Sequence, residues 1–435
     1  MPLLLDLVYG LVLGLLSPWL LYQAIFKGKH RRGFAAKYLG QTGPLPRLVS
    51  GKTAWFHGVS VGEVHLLRQV VAGFRKRHPD WSCVVSTTTD TGFDEARQCF
   101  PELAVIYWPF DFSWAVRGAL RQVKPALVVL AEGELWPNFL RAARSADIPV
   151  AVVNGRMSPR SGRRYSTFRF LTRPSLGRVS LFGVQTTEYA THFEMAGAVR
   201  GRLHVTGNVK FDGVTGDRNH TKTQELGGLL AVRPGDRIWV AGSTQAPEEA
   251  VVLKIYARLA PRWPGLRLFL VPRQRDRFDE VADLLERSGL PWVRRSSLHE
   301  PVPDRSAVVL VDTIGELGAL WGLADLAFVG GSLDGRRGGQ NMIEPAAYGA
   351  AVVFGPHVWN FRDTAQRLLA CGGAIQVADA AALSSTIERL VWDEAARRNL
   401  GTAARQFVRQ QQGATALTLN LLDRLIEGEP LKVSA

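Results

Sequence analysis

From residue 53 onward the chain alternates short runs of apolar, often β-branched residues with longer stretches whose apolar positions recur at helical spacing. The runs at 53–57, 82–87, 126–131, 150–153 and 181–185 predict strands, because an unbroken apolar run suits a strand buried on both faces. A polar, pattern-poor stretch at 213–237 interrupts this rhythm, which restarts with runs at 238–242, 266–271, 308–311, 326–330 and 351–354. Strands alternating with helices build parallel sheets covered on both faces, so the pattern predicts an α/β fold of two successive doubly wound domains. The final helical stretch, 403–426, either caps the second domain or crosses back to the first. Ligands of such sheets bind beyond the carboxyl ends of strands, which makes the strand-to-helix junctions the places to look for chemistry.

Residues 2–26 are almost wholly apolar, interrupted by Asp6 and Pro18. At helical rise they are about long enough for a hydrocarbon core of roughly 30 Å, so an N-terminal membrane-anchor helix is expected, either spanning or lying in the interface. Lys27, Lys29, His30, Arg31 and Arg32 follow at once, which places the rest of the chain on the cytoplasmic side. A cleaved signal peptide ranks second, since the charge follows the apolar stretch and no small-residue cleavage site precedes it. The resulting division is 1–26 as anchor, 27–213 as N-terminal domain and 214–435 as C-terminal domain.

A formal net charge of +14 favours anionic partners: nucleic acid, an anionic membrane face or a phosphorylated substrate. Nucleic acid is the weakest of these, because the basic residues are spread along the chain without an aromatic array. The three cysteines, Cys83, Cys99 and Cys371, form no CxxC pair and no His/Cys cluster at metal-ligand spacing, so neither a zinc site nor a disulfide scaffold is expected. GxxxxGK[ST], strand-linked GxGxxG and GxSxG patterns are also missing, which removes the main support for ATPase, dehydrogenase and α/β-hydrolase readings.

The junctions themselves are polar. After the first strand, His57-Gly58-Val59-Ser60-Val61-Gly62-Glu63 puts Ser60 and Glu63 on a loop and first helical turn, where Glu63 is either a general base facing an inter-domain cleft or an acid that stabilises the helix N-terminus. His57 is either structural or catalytic. The Ser86–Gly92 junction is rich in hydroxyls that can cap the next helix or bind a sugar. Glu132 and Glu134 follow an apolar strand, as paired acids with a chemical task or as partners of Arg156, Arg160 or Arg163. In the second half, Gly242-Ser243-Thr244 reads as a turn at a helix N-terminus able to hold phosphate, with Glu248 and Glu249 on the helix. Pro272-Arg273, the segment Ile314-Gly315-Glu316, and the glycine-rich stretch leading through Gln340 into Asn341-Met342-Ile343-Glu344 complete the set, and together they favour a nucleotide site.

Taken in order, HGVSVGEV, STTTDTG, DFSWAVR, AEGELWPN, NGRMSPRS, TGNVKFD, AGSTQAPEE, VPRQRDRF, DTIGELGALWG, AFVGGS, GGQNMIEPAAYG and GPHVWNFRD resemble the serial signature of bacterial 3-deoxy-D-manno-octulosonic acid (Kdo) transferases of lipid A biosynthesis. The resemblance implies a GT-B glycosyltransferase fold, with two Rossmann-like domains facing a cleft. It further implies an acceptor-binding N-terminal domain, a CMP-Kdo-binding C-terminal domain, and inverting transfer to a lipid A precursor with no metal and no cofactor. On this likeness Glu63 matches the catalytic base and Glu132 the acid of the ETELWP-like motif. Ser243, Pro272, Arg273, Ile314, Gly315, Glu316, Asn341, Met342, Ile343 and Glu344 match the CMP-binding stretches, with Ser60, Lys210 and Gln340 at the cleft. Gln274 and Gln340 stand where many members carry histidine, so the side chains there hydrogen-bond without a positive charge. The implied partners are CMP-Kdo, the lipid acceptor and inner-membrane lipid, with no nucleic acid. A GT-B transferase using another nucleotide sugar and a non-catalytic membrane-bound relative are the alternatives.

Overall fold

The computed structural model describes residues 2–27, 32–43, 45, 51–133 and 136–430. Lys29, His30 and Arg31 of the basic run, and Glu134 of the paired acids, lie outside these residues. The first sheet contains β1 (Thr53–His57), β2 (Ser82–Thr87), β3 (Ala104–Tyr107), β4 (Leu127–Ala131), β5 (Val150–Gly155), β6 (Leu181–Val184) and β7 (Leu203–Val205). Its order is β3-β2-β1-β4-β5-β6-β7, with every pairing parallel. The second contains β8 (Arg237–Thr244), β9 (Leu266–Pro272), β10 (Trp292–Arg294), β11 (Val308–Leu310), β12 (Leu326–Val329), β13 (Ala351–Phe354) and β14 (Ala374–Gln376), in the order β10-β11-β9-β8-β12-β13-β14. Both are doubly wound orders, in which the chain reverses direction across the sheet beside β1 in one and beside β8 in the other.

The interior strands are buried because helices cover both faces. Trp55, Val128 and Val152 point into one apolar cluster, while their neighbours Phe56, Val129 and Val153 point into another on the opposite face. Trp239, Leu268 and Phe328 centre the corresponding cluster of the second sheet.

Two compact units result: residues up to 213 together with those from 412 onward, and residues 214–411. This corrects the expected C-terminal span of 214–435. The last helix, Ala414–Glu427, lies in the first unit because Leu419 and Leu422 complete the cluster beneath the helix Val61–Arg77. Gly73 makes the close approach possible, since a Cβ there would sit 2.4 Å from Leu419 Cδ1. Asp423 then fastens the end, accepting from Arg77 at 2.6 Å and pairing with His78 at 2.7 Å.

Residues 2–27 form one helix, Pro2–Lys27, with Leu7, Leu11, Leu15, Trp19, Ile25 and Phe26 exposed. Among the described residues no helix is long and apolar enough to cross a membrane. Asp6, which interrupts the apolar run, is buried: it accepts from Ser113 N (2.9 Å), Ser113 Oγ (2.6 Å) and Asn138 Nδ2 (3.1 Å). Tyr9 donates to Asp111 at 3.2 Å, and Asp111 accepts the first amides of the helix Pro137–Ser145 from Asn138 and Phe139. Burial pushes the Asp111 carboxyl up to about 6, with the amide bonds acting against the rise. The two polar side chains therefore dock this helix on the first unit, leaving an apolar face uncovered.

Candidate functional site

In the first unit the candidate residues gather at the carboxyl ends of β1, β4 and β5. β1 ends at His57, which is buried, donates through Nδ1 to the Ser86 carbonyl at 3.1 Å, lies 3.0 Å from Ser86 Oγ, and stacks on Trp108 at 4.0 Å. Burial pushes its pKa down to about 3, so the ring is neutral and structural. Ser60 is the N-cap of the helix Val61–Arg77, yet its hydroxyl donates to Glu63 Oε1 at 3.1 Å instead of accepting a backbone amide. Glu63 Oε2 accepts Val59 N at 2.7 Å, a variant of the capping box in which the acid reaches back past the cap. Gly58 leaves room for that carboxylate: a Cβ there would lie 3.0 Å from Glu63 Cβ. Glu63 is thus held by Val59 N and the Ser60 hydroxyl, is half-buried, and stands in the first turn, where a carboxylate stabilises the helix N-terminus. In the hydroxyl-rich junction, Thr89 takes the capping role, accepting Gly92 N at 3.1 Å while its hydroxyl donates to Val59 O at 3.0 Å.

Glu132 sits just beyond β4 with φ of 57°, followed by Gly133 at 117°, and Asn154 at the end of neighbouring β5 has φ of 55°. Left-handed backbone at non-glycine residues costs on the order of 1–3 kcal/mol each and concentrates at functional sites. Glu132 is held by Lys210 Nζ at 3.0 Å and Arg156 Nη2 at 3.6 Å. The salt-bridge reading of this acid is therefore realised through Arg156, and Lys210 is its nearer partner. Lys210 lies on the short turn Val209–Phe211, capped by Asn208 Oδ1 on Lys210 N at 3.0 Å. Asn154 is wholly buried, accepts Val209 N at 2.9 Å, and so ties the end of β5 to the Lys210 turn. Sequence reading had singled out Lys210 but not Asn154. The Asn-Gly pair at 154–155, a dipeptide suited to left-handed backbone, was its available signal.

The second unit assembles its residues at the ends of β8, β9 and β12. Gly242, Ser243 and Thr244 are the last residues of β8, with a register irregularity between 242 and 244 and Ser243 at φ of 55°. The expected Gly-Ser-Thr turn at a helix N-terminus is corrected, because the helix Glu248–Leu259 starts four residues later. Glu248, only 1% exposed, accepts four backbone amides: Gln245 (3.0 Å), Gly331 (2.7 Å), Ser332 (2.8 Å) and Leu333 (3.0 Å). Burial pushes its carboxyl up and those four donors pull it down. One side chain thereby fixes the loop after β12 against the end of β8.

Pro272 closes β9 and is buried, while Arg273 is exposed with its amide on Thr244 O at 3.0 Å. Arg273 also acts on Glu344, whose carboxyl burial pushes up while Asn341 and Arg273 pull it down. Asn341 bridges its own turn, accepting Ile343 N at 3.0 Å and donating to Glu344 Oε1 at 2.9 Å. Met342 and Ile343 face the core, so only their backbone is available to a ligand. The helix opened here, Ile343–Ala347, has only five residues and so carries little helix dipole. Gln340 lies over Gly331, where a Cβ would be 3.3 Å from its Nε2. In the remaining segment Ile314 is exposed, Gly315 has φ of 83°, and Glu316 is bound to Arg295 at 2.8 Å and to the Thr313 hydroxyl.

The architecture of two doubly wound parallel sheets is shared by solved structures. A UDP-GlcNAc 2-epimerase from Neisseria meningitidis bound to UDP-GlcNAc is 12% identical with a TM-score of 0.56, over 86% of this chain and 100% of that one. A glycosyltransferase from Rickettsia africae is 11% identical with a TM-score of 0.54, over 87% of this chain and 98% of that one. The fold is of the GT-B glycosyltransferase class. The family described as 3-deoxy-D-manno-octulosonic-acid transferase (kdotransferase) matches residues 28–213. A 3-deoxy-D-manno-octulosonic acid transferase from Haemophilus influenzae is 33% identical over 86% of this chain and 87% of its own. One from Bordetella pertussis is 32% identical over 96% and 98% respectively. The chain belongs to the Kdo transferase family and is a glycosyltransferase.

Proposed function

We propose that the chain transfers Kdo from CMP-Kdo to a phosphorylated, glucosamine-based lipid A precursor, with inversion and with no metal ion at the reacting phosphate. Glu63 carries this reading: its carboxylate is oriented by Val59 N and the Ser60 hydroxyl at a strand-to-helix junction, as a general base needs to be. In the proposed step an acceptor hydroxyl oxygen attacks the anomeric carbon of Kdo and Glu63 takes its proton. The bond from that carbon to the CMP oxygen breaks, and CMP leaves with the electron pair. A single displacement inverts the centre. Arg273 answers the charge of the leaving phosphate, and the loop fixed by Glu248 holds the nucleotide. Glu132 serves as a positioning residue that aims Lys210.

The acceptor and the site of action have their own support. Between Asp147 and Glu188 the chain has no acidic residue, while Arg160, Arg163, Arg164, Arg169 and Arg173 lie on the adjacent helices Pro159–Thr167 and Arg169–Leu176. Phe168, Phe170 and Leu171 are exposed among them. A basic surface with exposed apolar side chains suits phosphorylated lipid, each cation near an anionic surface adding about 1 kcal/mol. With the apolar face of Pro2–Lys27, it supports work at the cytoplasmic leaflet of the inner membrane. The test is incubation with CMP-Kdo, or with UDP-sugars, and a tetraacylated disaccharide phosphate, followed by mass analysis of the lipid. The expected result is one or more Kdo mass increments from CMP-Kdo alone; transfer from a UDP-sugar in its place would overturn the donor.

A further inference from the structure

Away from the residues considered so far, two helices of the first unit bring together three donor side chains that are far from metal-ligand spacing in the sequence. His65 lies on Val61–Arg77; Glu95 and Cys99, four residues apart, share one face of Asp90–Cys99. His65 Nε2 is 3.3 Å from Glu95 Oε1, Cys99 Sγ is 3.5 Å from the same oxygen, and Sγ is 3.9 Å from His65 Nδ1. One ligand atom from each residue lies within 4.8 Å of the other two. Zinc–ligand bonds of about 2.0–2.3 Å place tetrahedral ligand atoms roughly 3.3–3.6 Å apart. The His65 Nε2–Glu95 and Cys99 Sγ–Glu95 separations already meet that spacing; the 3.9 Å distance to Sγ is from the other ring nitrogen, Nδ1, so a turn of the imidazole is needed to bring a single nitrogen into range of both partners.

A mixed sulfur, nitrogen and oxygen set suits zinc or cobalt and is wrong for magnesium or calcium, which take oxygen. We propose that His65, Glu95 and Cys99 form a zinc site with three protein ligands and water in the fourth position. His65 is two residues beyond Glu63, and residues so spaced on a helix do not face the same way. The ion therefore sits apart from the Glu63 carboxylate while tying the N-terminal part of that helix to Asp90–Cys99, whose N-cap Thr89 donates to Val59 O just ahead of it.

The full chain titrated with cobalt reads this directly. One equivalent is expected to produce visible bands of tetrahedral cobalt and a near-ultraviolet thiolate-to-cobalt band. Cys99→Ser removes the thiolate band, and His65→Ala weakens binding by at least ~10-fold. Cys371→Ser, at an exposed cysteine elsewhere, leaves both unchanged. His65→Ala keeps the test open if Cys99→Ser fails to fold. No spectrum on addition of cobalt, or a thiolate band that survives Cys99→Ser, overturns the site.

Discussion

The two sheets share a topology and differ in what they present at their strand ends. The first offers carboxylates held by side-chain and backbone donors: Glu63 in a helical first turn with Val59 N and the Ser60 hydroxyl, and Glu132 on left-handed backbone at φ of 57° between Lys210 and Arg156. The second withdraws its carboxylates. Glu248 is spent on four amides, Glu249 on Arg277 at 2.7 Å and Glu316 on Arg295, while Arg273 is exposed. Glycosyl transfer needs one partner that moves a proton and another that grips a nucleotide. The same fold can supply either, depending on whether its acids are buried as struts or left in reach.

That contrast is most severely strained by Glu248→Ala, which leaves buried amides unsatisfied and is expected to cost roughly 3–5 kcal/mol in denaturant unfolding. Hydrogen exchange should place the loss in residues 214–411; equal loss in the first unit would show that Glu248 is not a local strut. Asn154→Ala removes the acceptor of Val209 N and a residue tolerant of left-handed backbone, at a cost of about 1–3 kcal/mol read the same way in the first unit. Arg273→Ala should raise the KM for the donor about tenfold, near 1.4 kcal/mol, with a smaller change in kcat. A kcat loss without a KM change would move Arg273 from gripping to chemistry.

The smallest effect is one of pH. His57 has its pKa lowered by burial to about 3, from an ordinary 6.5, so only the unfolded chain takes up its proton between those values. Its share of stability is whole above pH 6.5 and declines as pH falls toward 3. A His57→Gln variant should show a shallower loss between pH 7 and 5, measured by thermal melting; an unchanged slope would mean the ring is protonated in the fold.

The sequence made the interior of both sheets readable and left their margins dark. All ten strands named from apolar runs are interior, while β3, β7, β10 and β14 are the four edges. Edge strands here are three or four residues long and need no continuous apolar run, so they leave little pattern. Glu63 and Arg273 stand out in the sequence because they follow predicted strands, and the structure places both just beyond strand ends. The position of Ser243 within a strand, the strap formed by Glu248 and the return of Ala414–Glu427 to the first unit were not, since each depends on contacts between residues far apart in the chain. The His65, Glu95 and Cys99 cluster escaped for the same reason: motif spacing sees neighbours along the chain, and helix packing made these neighbours in space.

The claim at the centre is that Glu63 is the base of Kdo transfer, and Glu63→Gln tests it with the least disturbance of the fold, because the amide keeps an oxygen for Val59 N. Turnover with CMP-Kdo and the lipid acceptor should fall by about 10²–10⁴, the worth of a general base, while CMP affinity and melting temperature stay near those of the unaltered chain. Near-normal turnover in that variant would contradict the assignment.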